Sequence, residues 1–261
     1  MTELSIAIEA ATRAGQIIRS ASERPREVTH KGAVDLVTQV DRAAETSIRE
    51  VLSHHTPSIP ILGEEEGGPI EQPTRWVVDP LDGTTNFVHG FPTYAVSIAL
   101  EVDGRSQCGV ILDPVRWTFY SATRGGGAFC DERPMQVSTC TSLDVALLGT
   151  GFAYDRRTRA AFYLSYVQAF MVRAQGIRRA GAAAMDLVMV ADGRLDGFWE
   201  FNLSPWDVAA GKLLVEEAGG RVSNHTGESL EARSPNPIAS NGRIHDDMMA
   251  IIAQVHRSHT P

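Results

Sequence analysis

Four short runs of β-branched and aromatic residues follow one another in the middle of the chain, and the last three are separated by short gaps. The runs are Trp76–Val78, Ala95–Val102, Gly109–Leu112 and Thr118–Ala122. The gaps at 101–105 and 113–115 contain Asp with Gly or Pro, which favour tight turns. Strands joined by tight turns pair antiparallel, so this part of the chain is predicted to form an antiparallel sheet.

Helical periodicity precedes these strands. The first helix has apolar or small residues at every third or fourth position, namely Leu4, Ile8, Ala11, Gly15 and Ile18. The segment Asp35–Val40 is short and partly β-branched, which favours an extended conformation. A second helix is predicted after it, with Ala44 and Ile48 facing inward.

Beyond about residue 140, helical and strand-like segments alternate. The predicted helices are Arg159–Val172, Ala182–Ala191, Trp206–Ala218 and Ile244–Val255, and the predicted strands are Leu195–Phe201 and Pro237–Ser240. Alternation of this kind is typical of an α/β arrangement. We therefore predict a mixed α/β fold in one domain, 1–261. Within it we distinguish two subdivisions without a sharp boundary: 1–140, with helices, the antiparallel sheet and most candidate metal ligands, and 141–261, the α/β half.

Composition excludes several classes of protein. The net charge of −8 argues against a general nucleic-acid interface. The three cysteines form no zinc-ligand or disulfide pattern, which suits a reducing compartment. No apolar run approaches the ~20 residues of a membrane span, and the acidic N-terminal stretch is not expected to be a signal peptide. A cytoplasmic protein without a membrane partner is predicted.

The stretch Trp76–His89 carries the main chemical signal. An apolar strand ends in Asp79-Pro-Leu-Asp82, and Pro80 cannot continue the strand pairing. The two carboxylates and the carbonyl of Leu81 offer three oxygen ligands in four residues, the donor set that Mg²⁺ prefers. Gly83-Thr84-Thr85 follows directly, and the free N–H groups of a helix beginning there would attract phosphate.

Each acidic segment also has a simpler interpretation. Asp-Pro-x-Asp-Gly is often only a turn with a helix cap. Glu64-Glu65-Glu66 could be a solvated acidic loop, and Asp41 and Asp207 both lie at predicted helix starts, where carboxylates are common.

Taken together, five segments resemble the inositol monophosphatase family of Mg²⁺-dependent, lithium-sensitive phosphatases, in the family's order and spacing. They are 31–41 (KGAVDLVTQVD), 63–65 (GEE), 76–89 (WVVDPLDGTTNFVH), 178–187 (RRAGAAAMDL) and 206–220 (WDVAAG…EAGG). The resemblance covers nearly the whole chain. It implies a layered αβαβα sandwich of the inositol monophosphatase and fructose-1,6-bisphosphatase type, and a homodimer with an interface on helices 159–174 and 182–191.

The resemblance also implies a set of cation ligands. Glu64, Asp79 and the carbonyl of Leu81 match the first metal site, and Asp79, Asp82 and Asp207 match the second. A third, weaker ion would also use Glu64. The expected metal is Mg²⁺, with two to three ions bound and Mn²⁺ as a substitute. Asp82 and Asp207 are also expected to contact the substrate.

Other positions match residues that act on the substrate. Gly83 and Thr84 match the phosphate grip, and Asp41 with Thr84 matches the pair that orients the attacking water, so that Asp41, Thr84 and Glu64 are the predicted catalytic residues. Ala183 and Glu200 match positions that contact the sugar ring. Lys31 matches a lysine near the site entrance. Position 182 is Ala where many members carry Ser or Thr, which leaves the fine substrate preference open.

The implied reaction is hydrolysis of a myo-inositol monophosphate by in-line attack of a metal-activated water. Related enzymes with the same ligands act on histidinol phosphate, fructose 1,6-bisphosphate or 3′-phosphoadenosine nucleotides. Thr85 favours the inositol type, because the histidinol and nucleotide types often place lysine there. A different class of function is a metal-binding partner protein with incidental phosphatase activity. The presence of both Asp41 and Thr84 favours catalysis.

Overall fold

The computed structural model describes residues 1–22, 30–230 and 236–259, and for 30–38 and 259 it describes the backbone only. The helices are α1 (Glu3–Ser22), α2 (His30–His55), α3 (Thr84–His89), α4 (Arg156–Met171), α5 (Ala183–Ala191), α6 (Pro205–Glu217) and α7 (His245–His259), with a 3₁₀ turn at Leu143–Val145. The strands are β1 (Ile61–Gly63), β2 (Thr74–Asp82), β3 (Ala95–Val102), β4 (Arg105–Asp113), β5 (Thr118–Thr123), β6 (Gly127–Cys130), β7 (Arg133–Pro134), β8 (Leu147–Thr150), β9 (Gly176–Arg178), β10 (Gly197–Trp199), β11 (Arg221–Ser223) and β12 (Ile238–Ser240).

The strands form two sheets. The larger sheet has seven strands in chain order, β1 to β7, and it is antiparallel from β2 onward, as the hairpin gaps predict. The smaller sheet has the order β11-β12-β10-β8-β9 and mixes parallel with antiparallel pairs. Its strands are three or four residues long, too short for a clear period in the sequence.

The two sheets and the helices stack in five layers. Helices α1 and α2 cover one face of the larger sheet, and α5 and α6 fill the space between the sheets. Helices α4 and α7 pack together on the outer face of the smaller sheet. The predicted αβαβα sandwich is confirmed. Because α5 and α6 pack against the larger sheet, the two halves of the sequence share one interior, and the division at residue 140 stays a prediction.

Three apolar layers hold the stack together. Trp76 lies in the first, Leu187 and Leu214 lie in the middle one, and Phe170 stacks on Trp199 at 4.2 Å in the third. All five side chains are at most 2% exposed. Burial of each large apolar side chain stabilises the fold by roughly 1.5–3 kcal/mol. The packed layers determine where the C-terminal end of β2 meets the N-terminal end of α6.

Several predicted boundaries differ from the structure. Helix α2 begins at His30, so the extended conformation favoured for Asp35–Val40 is wrong: helical periodicity continues through its β-branched residues. Strand β2 extends to Asp82 rather than ending at Val78. Its pairing with β3 is nevertheless irregular between Asp79 and Asp82, around Pro80. The short strands β1, β6, β7, β8, β9 and β11 escape prediction because periodicity needs longer runs.

Among the described residues, none of the helices combines the length and apolarity that crossing a membrane requires.

Candidate active site

The end of β2 places two aspartates side by side. Asp79 is 1% exposed and Asp82 9% exposed. The Asp79 Oδ1 accepts a hydrogen bond from the Leu81 N–H at 3.0 Å, so the carboxylate folds back over the turn that Pro80 stiffens. The Asp82 Oδ2 accepts a hydrogen bond from the Ala184 N–H at 2.8 Å, which joins β2 to the first turn of α5. Both carboxylates are therefore fixed in the folded chain.

The next turn depends on a glycine. Gly83 precedes α3 with φ +86, a left-handed conformation that glycine adopts without strain. A Cβ there would lie 3.0 Å from the Thr93 carbonyl oxygen and 3.1 Å from the Ala182 Cβ. The Thr84 hydroxyl donates to the Leu81 carbonyl oxygen at 3.1 Å. The predicted phosphate grip thus lies beside the predicted metal ligands.

Asp207 comes from the first turn of α6, which crosses between the sheets. Its Oδ2 accepts a hydrogen bond from the Ser204 N–H at 2.7 Å, so it caps the helix as the simpler interpretation of the sequence suggests. It also joins the aspartates of β2: carboxylate oxygens of Asp79, Asp82 and Asp207 all lie within 4.8 Å of one another. Capping and participation in the cluster are therefore compatible.

Crowding of these acids changes their proton affinity. Burial, followed by the charge of Glu64, raises the pKa of Asp79 well above its usual range. Burial and the charge of Asp207 do the same to the pKa of Asp82. Burial also raises the pKa of Asp207, to about 6, against the opposing effect of the Ser204 hydrogen bond. Burial is the largest cause of all three shifts, and at Asp79 and Asp82 the neighbouring carboxylates add unneutralised negative charge.

Glu64 lies on the loop after β1 and lines one cavity together with Asp79, Asp82 and Asp207. The residue as a whole is exposed, but desolvation of its carboxyl and the charge of Asp207 raise its pKa to about 7. The loop is held from below by Glu45, which is fully buried and accepts hydrogen bonds from the backbone N–H groups of Glu65 at 2.7 Å and Glu66 at 3.1 Å. Glu64 is therefore presented by a fixed loop.

Asp41 is 5% exposed, and its Oδ1 has no hydrogen-bond partner among the described residues. Burial, with the charges of Glu65 and Glu64, raises its pKa to about 8. Within the described part of the chain, no hydrogen bond joins Asp41 to Thr84, whose hydroxyl is engaged by Leu81. The Lys31 side chain lies outside the described residues.

The predicted ring contacts line the cavity as well. Ala183 begins α5, and Glu200 follows β10. Glu200 is 8% exposed, and burial together with the charge of Asp207 raises its pKa to about 8. A Cβ on Gly151 would lie 2.0 Å from Glu200 Oε2, so this glycine makes room for the carboxylate. The cavity measures about 180 Å³ and is lined by all the predicted site residues except Asp41 and Lys31, the latter having a side chain outside the described residues.

The chemistry of the donor set fits divalent cations. Every side-chain donor in the cluster is a carboxylate oxygen, as hard cations such as Mg²⁺ prefer. The raised pKa values, and the Asp41 oxygen without a hydrogen-bond partner among the described residues, indicate acids that no positive group of the described chain neutralises. Glu64, Asp79, Asp82, Asp207 and the Leu81 carbonyl would hold the ions.

Two supporting residues were missed from the sequence. Glu45 lies next to the predicted inward position Ala44, and a charged residue within an apolar helix face was the available signal. Asn86 is 9% exposed, and its Nδ2 donates to the carbonyls of Thr93 at 2.7 Å and Ala180 at 2.8 Å. It ties α3 to the segment before α5, and no local pattern predicts that contact across 94 positions.

Similarity to known proteins agrees with the family resemblance of the five sequence segments. A model of the inositol monophosphatase family matches residues 2–259. The chain is 46% identical over 258 residues to Nus factor SuhB of Pseudomonas aeruginosa, covering 95% of each protein. It is 44% identical over 256 residues to inositol-1-monophosphatase of Synechocystis sp., covering 97% of this chain and 89% of the relative.

Solved structures show the same fold. Inositol monophosphatase from Anabaena (Nostoc) sp. superposes with a TM-score of 0.88 at 40% identity, covering 96% of this chain and 95% of that one. The family match over residues 2–259 includes the segments that carry the acidic cluster. The chain belongs to the inositol monophosphatase family.

Proposed function

We propose that the protein is a Mg²⁺-dependent phosphomonoesterase that hydrolyses myo-inositol monophosphate to inositol and phosphate. One observation carries the proposal: three aspartates from two distant segments meet within 4.8 Å of one another, in the cavity that Gly83 and Thr84 also line. Without cations this arrangement would repel a phosphate. With them, it combines positive charge and a phosphate-binding turn in one place.

The chain's own residues have distinct roles in this proposal. Glu64, Asp79 and the Leu81 carbonyl hold one cation, and Asp79, Asp82 and Asp207 hold another. Bound divalent ions lower the pKa of water and neutralise the phosphate charge. The ligands themselves fix where that charge sits, since each aspartate is already hydrogen-bonded to backbone.

The remaining residues bind and orient the substrate. Backbone N–H groups at Gly83 and Thr84 receive the phosphate oxygens. Asp41 and Thr84 orient the attacking water. Among the described residues the Asp41 Oδ1 has no hydrogen-bond partner, so it is available to accept a proton from that water. Ala183 and Glu200 face the ring, where the Glu200 carboxylate accepts hydrogen bonds from polyol hydroxyls.

The first experiment measures phosphate release at fixed Mg²⁺ from a panel of esters: inositol 1-phosphate, histidinol phosphate, fructose 1,6-bisphosphate and adenosine 3′,5′-bisphosphate, with and without lithium. We expect inositol phosphate to be preferred and lithium to inhibit. Mn²⁺ in place of Mg²⁺ should support turnover. Preference for another ester would retain the metal chemistry and overturn the substrate.

Two variants test the ligands. Asp82→Asn and Asp207→Asn should each abolish turnover and leave the circular dichroism spectrum unchanged, because Asn keeps the acceptor for the Ala184 or Ser204 N–H and loses the charge. Asp247→Asn is the matched control, since Asp247 also lies in the first turn of a helix but is exposed. Near-parental activity in either site variant would refute the two-cation assignment.

A second candidate is a partner role, and one observation favours it: relatives such as those of Pseudomonas aeruginosa and Escherichia coli are named Nus factor SuhB. In this case the site would bind metal, and turnover would be incidental. If no ester of the panel is hydrolysed while Mg²⁺ still binds, this candidate replaces the first.

Assembly and location complete the proposal. A homodimer is supported by exposed apolar side chains along α4 and just beyond it, where Leu164 is 57%, Met171 64% and Val172 73% exposed. The other predicted interface, 182–191, is wrong, because α5 is buried between the sheets. Light scattering tests it. A cytoplasmic location is supported by three free cysteines.

A further inference from the structure

The mouth of the active-site cavity carries positive charge that the proposed chemistry does not use. Arg156 and Arg179 are the two basic residues among the described residues lining the cavity, and the other charged residues there are acidic. Arg156 begins α4, and Arg179 follows β9. Both are exposed, so their guanidinium groups lie at the entrance rather than among the buried carboxylates.

Each guanidinium is placed against an aromatic ring of one short segment. The Arg179 Cζ lies 5.8 Å from the centre of the Phe152 ring, and the Arg156 Cζ lies 6.0 Å from that of Tyr154. Tyr154 is 87% exposed at the cavity mouth. Contacts of this type favour one orientation of an arginine and leave its N–H groups available.

A glycine maintains the position of Arg179. Gly181 has φ +88, and a Cβ there would lie 2.7 Å from the Arg179 Nη1. The backbone therefore leaves room for the guanidinium beside the turn that leads into α5. The charge of Arg179 reaches the cavity wall, since it lowers the pKa of Glu200 against the larger effect of burial.

The described carboxylates leave both arginines without an ion-pair partner. The Arg156 Nη1 donates to the Ala153 carbonyl oxygen at 3.3 Å, and within the described chain neither Arg156 nor Arg179 forms an ion pair with a carboxylate. The acid closest in sequence, Asp155, is engaged by Arg159 at 3.3 Å and by the Tyr163 hydroxyl. Both guanidinium groups can therefore receive an anion.

We propose that Arg156 and Arg179 form a second anion-binding subsite, which receives a phosphate or carboxylate carried by the alcohol part of the substrate. The inference rests on the proposed phosphatase activity and extends its substrate class to esters with a second anionic group. A neutral polyol offers only hydroxyls, which need no cationic partner, whereas a phosphate or carboxylate matches the paired N–H groups of a guanidinium.

The test compares two esters that differ by one phosphate, fructose 1,6-bisphosphate and fructose 1-phosphate, on the Mg²⁺-loaded protein at constant ionic strength. The measured quantity is the ratio of kcat/KM for the bisphosphate to that for the monophosphate. We expect a ratio of at least ten in the parent, and a fall of about tenfold in Arg156→Gln and in Arg179→Gln, because each removes one charged partner. Arg157→Gln is the matched control, since Arg157 is an exposed neighbour that does not line the cavity.

The outcomes separate this inference from the activity on which it rests. Turnover of both esters with a ratio near one, or a ratio equally changed by Arg157→Gln, would overturn the subsite and leave the phosphatase proposal standing. Absence of turnover with every ester would overturn the phosphatase proposal. In that case, calorimetric affinities of the same two ligands for the Mg²⁺-loaded parent and variants decide the subsite by the same ratio.

Discussion

Replacement of Glu200 by glutamine should stabilise the metal-free protein near neutral pH. Glu200 is 8% exposed, and its carboxylate faces a cavity that already contains the charge of Asp207. Ionisation in such a place is unfavourable because burial removes water and the neighbouring charge repels. Glutamine has nearly the same shape and cannot ionise. The variant therefore removes a cost that the site imposes on the fold.

The size of the effect follows from the pKa. Burial and then the charge of Asp207 raise the pKa of Glu200 from 4.5 to about 8. Because the folded-state value is the higher one, the group's contribution to stability is complete below pH 4.5 and is lost as the pH rises through 8. Each pKa unit corresponds to about 1.4 kcal/mol, so at pH 7 the parent should have lost about 3 kcal/mol that the variant keeps.

Urea unfolding of parent and Glu200→Gln in a chelator, at several values between pH 5 and pH 8, measures this difference. The free energies should lie closest at the acidic end and diverge as the pH rises, by about 3 kcal/mol at pH 7. Glu132→Gln provides the control, since Glu132 is exposed and its replacement should change little at any pH. A Glu200→Gln difference that stays constant over this range would refute the account of a buried, repelled carboxylate.

Three further predictions concern other parts of the chain. Burial lowers the pKa of the buried His245 to about 4, so its contribution to stability is present above pH 6.5 and is lost as the pH falls through 4. In urea unfolding, the free energy of unfolding of the parent should therefore fall by about 3 kcal/mol by pH 4, relative to that of His245→Gln. Gly83→Ala should lower the free energy of unfolding by about 1–3 kcal/mol and kcat/KM at least tenfold, because the position has a positive φ and an added Cβ would contact the Thr93 carbonyl. The control is Gly104→Ala, which has φ +73 and open space around it and should affect stability alone. Glu45→Ala should lower the free energy of unfolding, measured by chemical denaturation, by about 3 kcal/mol. It should also weaken the Mg²⁺ affinity measured by calorimetry, because it releases the loop that presents Glu64. An unchanged Mg²⁺ affinity would contradict that role.

The local part of the site could be predicted from the sequence, and the long-range part could not. Asp79 and Asp82 lie three positions apart, so turn chemistry alone brings them together. Asp207 lies more than a hundred positions away, and periodicity shows only that it begins a helix. Its place in the cluster followed from the family resemblance. Glu45 was missed for a related reason, since a helical pattern identifies an inward face but not the loop that a buried charge will hold.

The fold fixes the acidic cluster before any ion arrives. Asp79, Asp82 and Asp207 each accept a hydrogen bond from a different backbone N–H, of Leu81, Ala184 and Ser204.

These contacts come from a strand end and two helix starts, so ordering the ligands requires little further loss of conformational freedom. The same rigidity keeps the carboxylates buried and prevents them from moving apart. Burial raises the pKa of all three, and neighbouring carboxylates raise the pKa of Asp79 and Asp82 further. A divalent ion would relieve that repulsion and displace the protons that the raised pKa values retain. Stability of the fold and affinity for the cation should therefore change in opposite directions whenever one of these carboxylates is neutralised.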